Sequence, residues 1–214
     1  MDSRPPHLDS RPTRLGKFEL LARIAKGGMA EIFLARQHDR VGLSRLVVVK
    51  RILPHLAEEL PFVEMFLEEA RYAALINHPN VVQIYDVGES EGDFYIAMEY
   101  IDGPSIGLLA RDARRKKVPL PPIIAAEMVA QACDGLHAAH ELRDETGIAL
   151  GLVHRDVSPH NLMLTRGGTV KLLDFGVAKA QDSAVQTNTG SVKGKFPYMS
   201  PEQCIGKKGD NRSD

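Results

Sequence analysis

The 214-residue chain has little of three things: cysteine, net charge and long apolar runs. Two cysteines, Cys133 and Cys204, fit neither a disulfide framework nor a zinc site, so the chain suits a reducing compartment. A formal net charge of -1 gives no hint of a nucleic-acid or membrane partner. The basic run Arg114-Arg115-Lys116-Lys117 reads as a solvated helix end or loop. No apolar run reaches the roughly 18 residues that a membrane span needs, and the N-terminus lacks the apolar core of a secretory signal. The expected location is therefore the cytoplasm. What is present, 43% hydrophobic and 26% charged residues, is enough for one compact domain or two small lobes.

Residues 1–14 read as a disordered tail. They are polar and proline-punctuated, with Asp2-Ser3-Arg4-Pro5 recurring as Asp9-Ser10-Arg11-Pro12. Short strands are expected at Phe18–Ile24, Glu31–Arg36, Leu46–Ile52, Val81–Val87 and Phe94–Ile101. One helix runs from Pro61 to about Ile76, where His78-Pro79 ends it. This predicts a five-stranded antiparallel lobe with one helix over residues 15–101. A second, mainly helical part over 102–214 contains a helix from Pro121-Pro122 to about His140, with Ile124, Met128, Ala132, Leu136 and Ala139 on one face. Arg143–Ala149 reads as a surface loop, Leu162–Thr165 and Val170–Leu173 as short strands, and Ala180–Gly194 as a mobile loop. The fold class is α+β.

Two runs carry the chemistry. His154-Arg155-Asp156-Val157-Ser158-Pro159-His160-Asn161 supplies a carboxylate to receive a hydroxyl proton and a carboxamide that could hold magnesium. Asp174-Phe175-Gly176 follows and supplies a second metal-binding carboxylate. Phosphoryl transfer from ATP requires that set of groups. Gly27-Gly28 lies between two strands, where backbone N–H groups could approach phosphates without a Cβ in the way. Lys50 ends an apolar strand. Glu69 lies within the helical stripe Phe62, Phe66, Ala73 and Ile76, where a carboxylate costs several kcal/mol unless a cation meets it. Lys50 is the obvious cation; otherwise Glu69 sits at the stripe's edge and reaches water.

The chain resembles a eukaryotic-type protein kinase, particularly the bacterial Ser/Thr branch, from about Leu15 to Asp214. The motifs occur in family order: Ala25-Lys26-Gly27-Gly28-Met29-Ala30, Val47-Val48-Val49-Lys50, Glu69, His154 to Asn161, Asp174-Phe175-Gly176 and Ser200-Pro201-Glu202. The resemblance implies a two-lobed fold and transfer of the γ-phosphate of ATP to Ser/Thr hydroxyls of proteins, with Mg2+ or, in its place, Mn2+. It implies Asp156 as base, Asn161 and Asp174 as metal ligands, and Lys50 on the phosphates and paired with Glu69. Met98 would be the gatekeeper and Glu99, Tyr100 and Ile101 the adenine hinge. Ile32, Val48 and Met163 would sandwich the ring, while Ala25, Gly27 and Gly28 shape the phosphate loop. Arg155 would dock a phosphate placed on Ser183, Thr187, Thr189 or Ser191, with Thr187 and Thr189 preferred. Asp214 would hydrogen-bond the backbone near His154.

Three departures stand out. The outer glycines of the phosphate loop are Ala25 and Ala30. The lysine usual two residues after the base is Ser158, and the threonine usual before the Ser-Pro-Glu motif is Lys195, so cation and hydroxyl have exchanged places. Ser158 is then expected to hydrogen-bond Asp156, and Lys195 to approach the transferred phosphate. Lys195-Phe196-Pro197 has a tyrosine-kinase flavour, which leaves strict Ser/Thr or dual specificity open. The chain also stops at Asp214, where the family fold continues for several helices. This carries the expectation of a truncated C-lobe that is marginal alone or completed by a partner. The alternative is a nucleotide-binding pseudokinase or regulatory decoy, and a small-molecule phosphotransferase is a more distant one.

Overall fold

The computed structural model describes residues 14–38, 42–175, 196–207 and 209–214, apart from the side chains of Glu69 and Phe196. Tail residues 1–13, the Gly176–Lys195 segment with its four candidate phosphorylation sites, and Lys195 itself lie outside the described residues.

Period-two alternation builds one antiparallel sheet from Arg14–Leu15 (β1), Phe18–Lys26 (β2), Ala30–His38 (β3), Ser44–Ile52 (β4), Ile84–Ser90 (β5) and Asp93–Glu99 (β6), in the order β1-β2-β3-β4-β6-β5. Six strands form rather than the expected five. Gly16 adopts φ 55 and folds Leu15 back onto Phe18, so Arg14, read as tail, pairs with Glu19. Glu91 and Gly92, at φ 54 and 83, form the two-residue turn between β5 and β6. Two left-handed residues match the twist of the flanking strands.

One face of the sheet buries Leu15, Phe18, Phe33, Ala35, Val47, Val49, Tyr95 and Ala97. The other face presents Ile52, Ile96 and Met98 to helix α2 (Leu60–Ala74), which follows the single turn α1 (Pro54–Ala57). Val63, Phe66 and Ala70 fill that contact, at spacings of three and four along the helix.

The expected strand Val81–Val87 begins only at Ile84. Val81 and Val82 are diverted: Leu172 donates its N–H to Asn80 O (2.8 Å) and accepts the Val82 N–H (2.9 Å), and Val81 forms a parallel bridge with Leu172. Leu172 belongs to a second sheet, the hairpin of Leu162–Leu164 (β7) and Val170–Leu172 (β8). These residues join the two halves of the chain through the apolar cluster of Ala73, Ile76, Val81, Leu172 and Phe175.

Helix α3 (Ile106–Lys116) was not foreseen. Ser105 caps it, its hydroxyl accepting the Leu108 N–H at 3.2 Å. Helix α4 (Pro122–His140) buries Met128, Ala132, Gly135, Leu136 and Ala139. Ile124, expected on this face, is 47% exposed, and the buried stripe of α4 begins at Met128. The loop Arg143–Ala149 closes as a small hairpin, with the Asp144 carboxylate accepting the N–H groups of Thr146 and Ile148. The one-turn helix α5 (Pro201–Cys204) is capped reciprocally by Ser200 and Gln203.

Candidate active site

The segment from His154 to Asn161 forms no helix or strand, and side chains from elsewhere hold it. His154 is fully buried beside Phe175, with ring centroids 4.9 Å apart. Its Nε2–H donates to Leu173 O at 2.7 Å, and its Nδ1 accepts the Asp156 N–H at 3.2 Å. A carbonyl can only accept and a backbone amide can only donate, so the pair of bonds fixes the neutral Nε2–H tautomer. Burial pushes the His154 pKa down. The Leu173 carbonyl and the carboxylates of Asp214, Asp156 and Asp174 pull the other way without overcoming it.

Asp214 anchors the same loop, as the resemblance implied. Its Oδ2 accepts the His154 N–H (2.7 Å) and His140 Nε2–H (2.9 Å), and its Oδ1 accepts the Arg155 N–H (2.8 Å). Arg155 has φ 65, a left-handed conformation uncommon outside glycine, and its carbonyl accepts Gln203 Nε2–H at 2.9 Å. With both peptide groups of Arg155 held, Asp156 is presented in a fixed direction. Asn161 Nδ2 donates to Asp156 Oδ2 (2.7 Å) and to Asp156 O (2.9 Å).

Lys50 reaches across from β4. Its Nζ lies 3.1 Å from Asp174 Oδ1. Asp174 has φ 44 and keeps 41% of its side chain open to the cleft. Desolvation alone would raise the Asp174 pKa. The charge and hydrogen bond of Lys50, aided by His154, outweigh it and hold the carboxyl below its ordinary range. The expected partner of Lys50 was Glu69, whose side chain lies outside the described residues.

Strand register places the cleft walls. Ala25 pairs with Ile32, Ile32 with Lys50, and Val48 with Met98, so these residues share the face that carries Lys50. Val48 from the sheet and Met163 from β7 pack against one apolar cluster containing Met98 and Ile101. Behind Met98, a cavity of about 20 Å³ is lined by Ala70, Ala73, Val82, Ile84, Ile96, Asp174 and Phe175 as well. Glu99 ends β6 and is fixed by Lys171 Nζ at 2.8 Å. Gly27 donates to Ala30 O at 2.8 Å, and neither Gly27 nor Gly28 has positive φ. A Cβ at Gly28 would meet nothing within 4 Å. The fold itself does not require glycine at Gly28, so its absent side chain leaves open space beside the cleft.

The donor set suits magnesium. Asn161 commits its Nδ2 to two Asp156 acceptors, which leaves Oδ1 out of those bonds, its backbone carbonyl accepts the Leu173 N–H next to Asp174, and Lys50 holds the Asp174 carboxyl below its ordinary range. Among the described residues no group of three His, Cys, Asp or Glu could hold a metal. Magnesium commonly binds through one or two protein side chains together with substrate phosphates, rather than in an all-protein cage.

One expectation fails. Ser158 is 2% exposed, and its Oγ has no hydrogen-bond partner among the described residues, so it does not bond Asp156. The Asn161 amide occupies Asp156 Oδ2 instead. Sequence reasoning also missed His140, Lys171 and Gln203. Only Gln203 had a local signal, three residues after the capping Ser200.

A family model for the protein kinase domain matches residues 18–214. A relative named tyrosine-protein kinase MasK, from Myxococcus xanthus, is 51% identical over 201 residues, covering 93% of this chain and 31% of its own length. Serine/threonine-protein kinase PknB of Mycobacterium leprae is 40% identical over 215 residues, covering 98% of this chain and likewise 31% of its own. The chain therefore spans about a third of the length of these curated relatives. A crystal structure of the Mycobacterium tuberculosis PknI kinase domain superposes with a TM-score of 0.65 at 27% identity, covering 94% of this chain and 70% of that one.

Proposed function

Because the chain belongs to the protein kinase domain family, we propose that it transfers the γ-phosphoryl group of ATP to side-chain hydroxyls of a protein acceptor, serine or threonine in the first place. The observation that carries this reading is the meeting of Lys50 and Asp174 at 3.1 Å across the cleft, in the same site as the Asp156–Asn161 pair. Asp156 takes the proton of the acceptor hydroxyl as its oxygen bonds to phosphorus and the bond to the β-phosphate oxygen breaks. Lys50 orients the α- and β-phosphates, with Glu69 steadying it. Ala25, Gly27 and Gly28 cover the phosphates, Ile32, Val48 and Met163 enclose adenine, and the Glu99–Ile101 backbone receives its edge behind Met98. Asn161 and Asp174 would hold Mg2+, or Mn2+ in its place, which supplies charge neutralisation on the phosphates.

Two finer assignments belong to the same reading. Lys195 brings its cation to the transferred phosphate, in place of the lysine usual two residues after the base. Arg155 receives a phosphate carried on Thr187 or Thr189 through self-phosphorylation, and its guanidinium meets no carboxylate among the described residues. The cytoplasm is the proposed location; no helix among the described residues is long and apolar enough to cross a membrane.

A tyrosine acceptor is the second reading, favoured by the name of the 51%-identical relative, a tyrosine-protein kinase. Incubation with labelled ATP, Mg2+ and a generic protein acceptor, beside Asp156→Asn, followed by phosphoamino-acid analysis, tests both. Label on serine or threonine supports the first reading, and label on tyrosine the second. ATP binding without any transfer in the wild type returns the chain to the non-catalytic alternative.

A further inference from the structure

Helix α3 buries none of its residues, and its second half carries Arg111, Arg114, Arg115 and Lys116, continued by Lys117. Asp112 is the one carboxylate in the run and lies 3.5 Å from Arg115. The other four cations meet no carboxylate within 4 Å among the described residues. A helix C-terminus tolerates cations through its dipole, so this charge alone would be an ordinary solvated end.

The surface beside it is not ordinary. Lys117 takes φ 56, and the N–H groups of Lys117 and Val118 both return to the last turn of α3 through Ala113 O. This stop swings Val118 outward, 61% exposed. Between the helix end and the chain that follows lies an open groove of about 410 Å³, with Ala110, Ala113, Val118, Pro119 and Leu120 supplying apolar walls and Arg114 and Lys117 lining it beside them. Its volume falls in the range of ligand-sized clefts, roughly 300–1,000 Å³. The other end of α3 touches the catalytic loop, where Gly107 donates its N–H to Pro159 O at 2.7 Å. At about 1.5 Å per residue the groove then stands roughly one helix length, about 15 Å, from that loop.

We propose that this groove docks a peptide segment of a partner protein in which acidic residues flank apolar ones. The apolar walls take the aliphatic side chains, and the surrounding cations take the carboxylates. The choice of an acidic partner follows from charge complementarity: five cations and one carboxylate are concentrated here on a chain whose formal net charge is -1. A segment held there stays near the catalytic loop and raises the effective concentration of whatever hydroxyl lies further along it.

Fluorescence anisotropy on the full chain tests this with three labelled peptides of equal length: one of Glu and Leu, one of Lys and Leu, and one of Glu and Ser. Vesicles of phosphatidylserine form a fourth arm. The Glu/Leu peptide is expected to bind and the other two to bind much more weakly. Arg114→Glu with Lys117→Glu should weaken it by about tenfold or more. Val118→Asp should do the same with every cation in place, with circular dichroism unchanged in both variants. Equal binding of the Glu/Ser peptide would reduce the site to unspecific attraction and overturn the groove. Binding of the Lys/Leu peptide, indifference to both variants, or capture by vesicles without peptide binding would overturn it equally.

Discussion

The Asp214 carboxylate holds the backbone of Arg155: Oδ1 accepts its N–H at 2.8 Å while the residue sits at φ 65. The conformation next to Asp156 is therefore maintained by a side chain 59 positions away. Asp214→Ala strands the N–H groups of His154 and Arg155 and the ring of His140, at about 1–3 kcal/mol for each buried donor left without a partner. The expected outcome is a clear drop in urea midpoint. In a catalytically competent preparation, turnover should fall more than nucleotide affinity, because Lys50 and the cleft walls are untouched. Asp214→Asn keeps one acceptor oxygen and should fall between. An alanine variant as stable as the wild type would remove Asp214 from this role.

The pH dependence of stability follows from His154. Its folded pKa lies below its ordinary value because burial disfavours the imidazolium. In the unfolded chain it titrates near 6.5. As pH falls through about 6.5 the unfolded state takes up the proton first, so stability is lost on acidification until the folded value is reached. Protonation also replaces the Nδ1 acceptor of the Asp156 N–H by a second donor. Denaturant midpoints between pH 7.5 and 5.5 should therefore slope more steeply in the wild type than in His154→Gln. Parallel slopes would show that His154 does not set this window. Asp174 works further down, its depressed pKa contributing stability that is lost only as pH falls below the ordinary carboxylate range.

Arg51 and Glu31 form a buried pair on the outer face of the sheet, 2.7 Å apart with side chains 8% and 6% exposed. Arg23 reaches the other Glu31 oxygen at 2.7 Å, and Asp93 meets Arg51 at 3.0 Å, so the network links β2, β3, β4 and β6. Arg51→Met leaves two carboxylates short of a cation and should cost about 3 kcal/mol, the scale found when one member of a buried pair is removed. Glu31→Leu combined with Arg51→Met should recover most of it, since paired apolar replacements are often neutral. Urea unfolding of the two single variants and the double variant measures the coupling, and simply additive losses would count against it.

Much of the site was legible because its chemistry lies in two continuous runs. In loops, side-chain type and spacing are set by function more than by packing, so His154 to Asn161 and Asp174 to Gly176 could be read without a fold. Lys50 was legible through the Val47-Val48-Val49-Lys50 motif of the family resemblance, since a lysine on a strand that runs on to Ile52 would by itself read as solvated. Most supports were not. His140 and Lys171 reach their partners across 74 and 72 positions, and no local pattern marks such a pairing; Asp214, 60 positions from His154, was expected through the family resemblance alone. Glu31 and Arg51 are charged and so look like solvent-facing strand residues, yet both are buried, paired with each other and with Arg23 and Asp93. Val81 and Val82 look like strand because they are β-branched and apolar, but their backbone is taken by Leu172. Helix α3 did carry a signal, Ser105 at its N-cap with basic residues in its last turn, which the short and largely exposed helix made easy to pass over.

Gly135 tests how tightly the two halves of the chain are joined. It lies mid-helix in α4, where propensity alone favours alanine by about 1 kcal/mol. A Cβ there would stand 2.8 Å from Asn80 O and 3.3 Å from the Asn80 carbonyl carbon. That oxygen already accepts the Leu172 N–H, and the Asn80 side chain donates to Val170 O at 2.9 Å and to Gln131 Oε1 at 3.2 Å. The neighbour is thus backbone pinned from several sides and cannot turn away as a flexible side chain would. Overpacking of this kind costs about 1–3 kcal/mol. The clash should win, and Gly135→Ala should lower stability by about 1 kcal/mol net while raising intrinsic helicity. Cys133→Ala, exposed on the same helix, serves as the control and should stay close to wild type. If Gly135→Ala proves more stable than the parent, α4 can withdraw from Asn80 at little cost, and the junction through Val81 and Leu172 is looser than its hydrogen bonds imply.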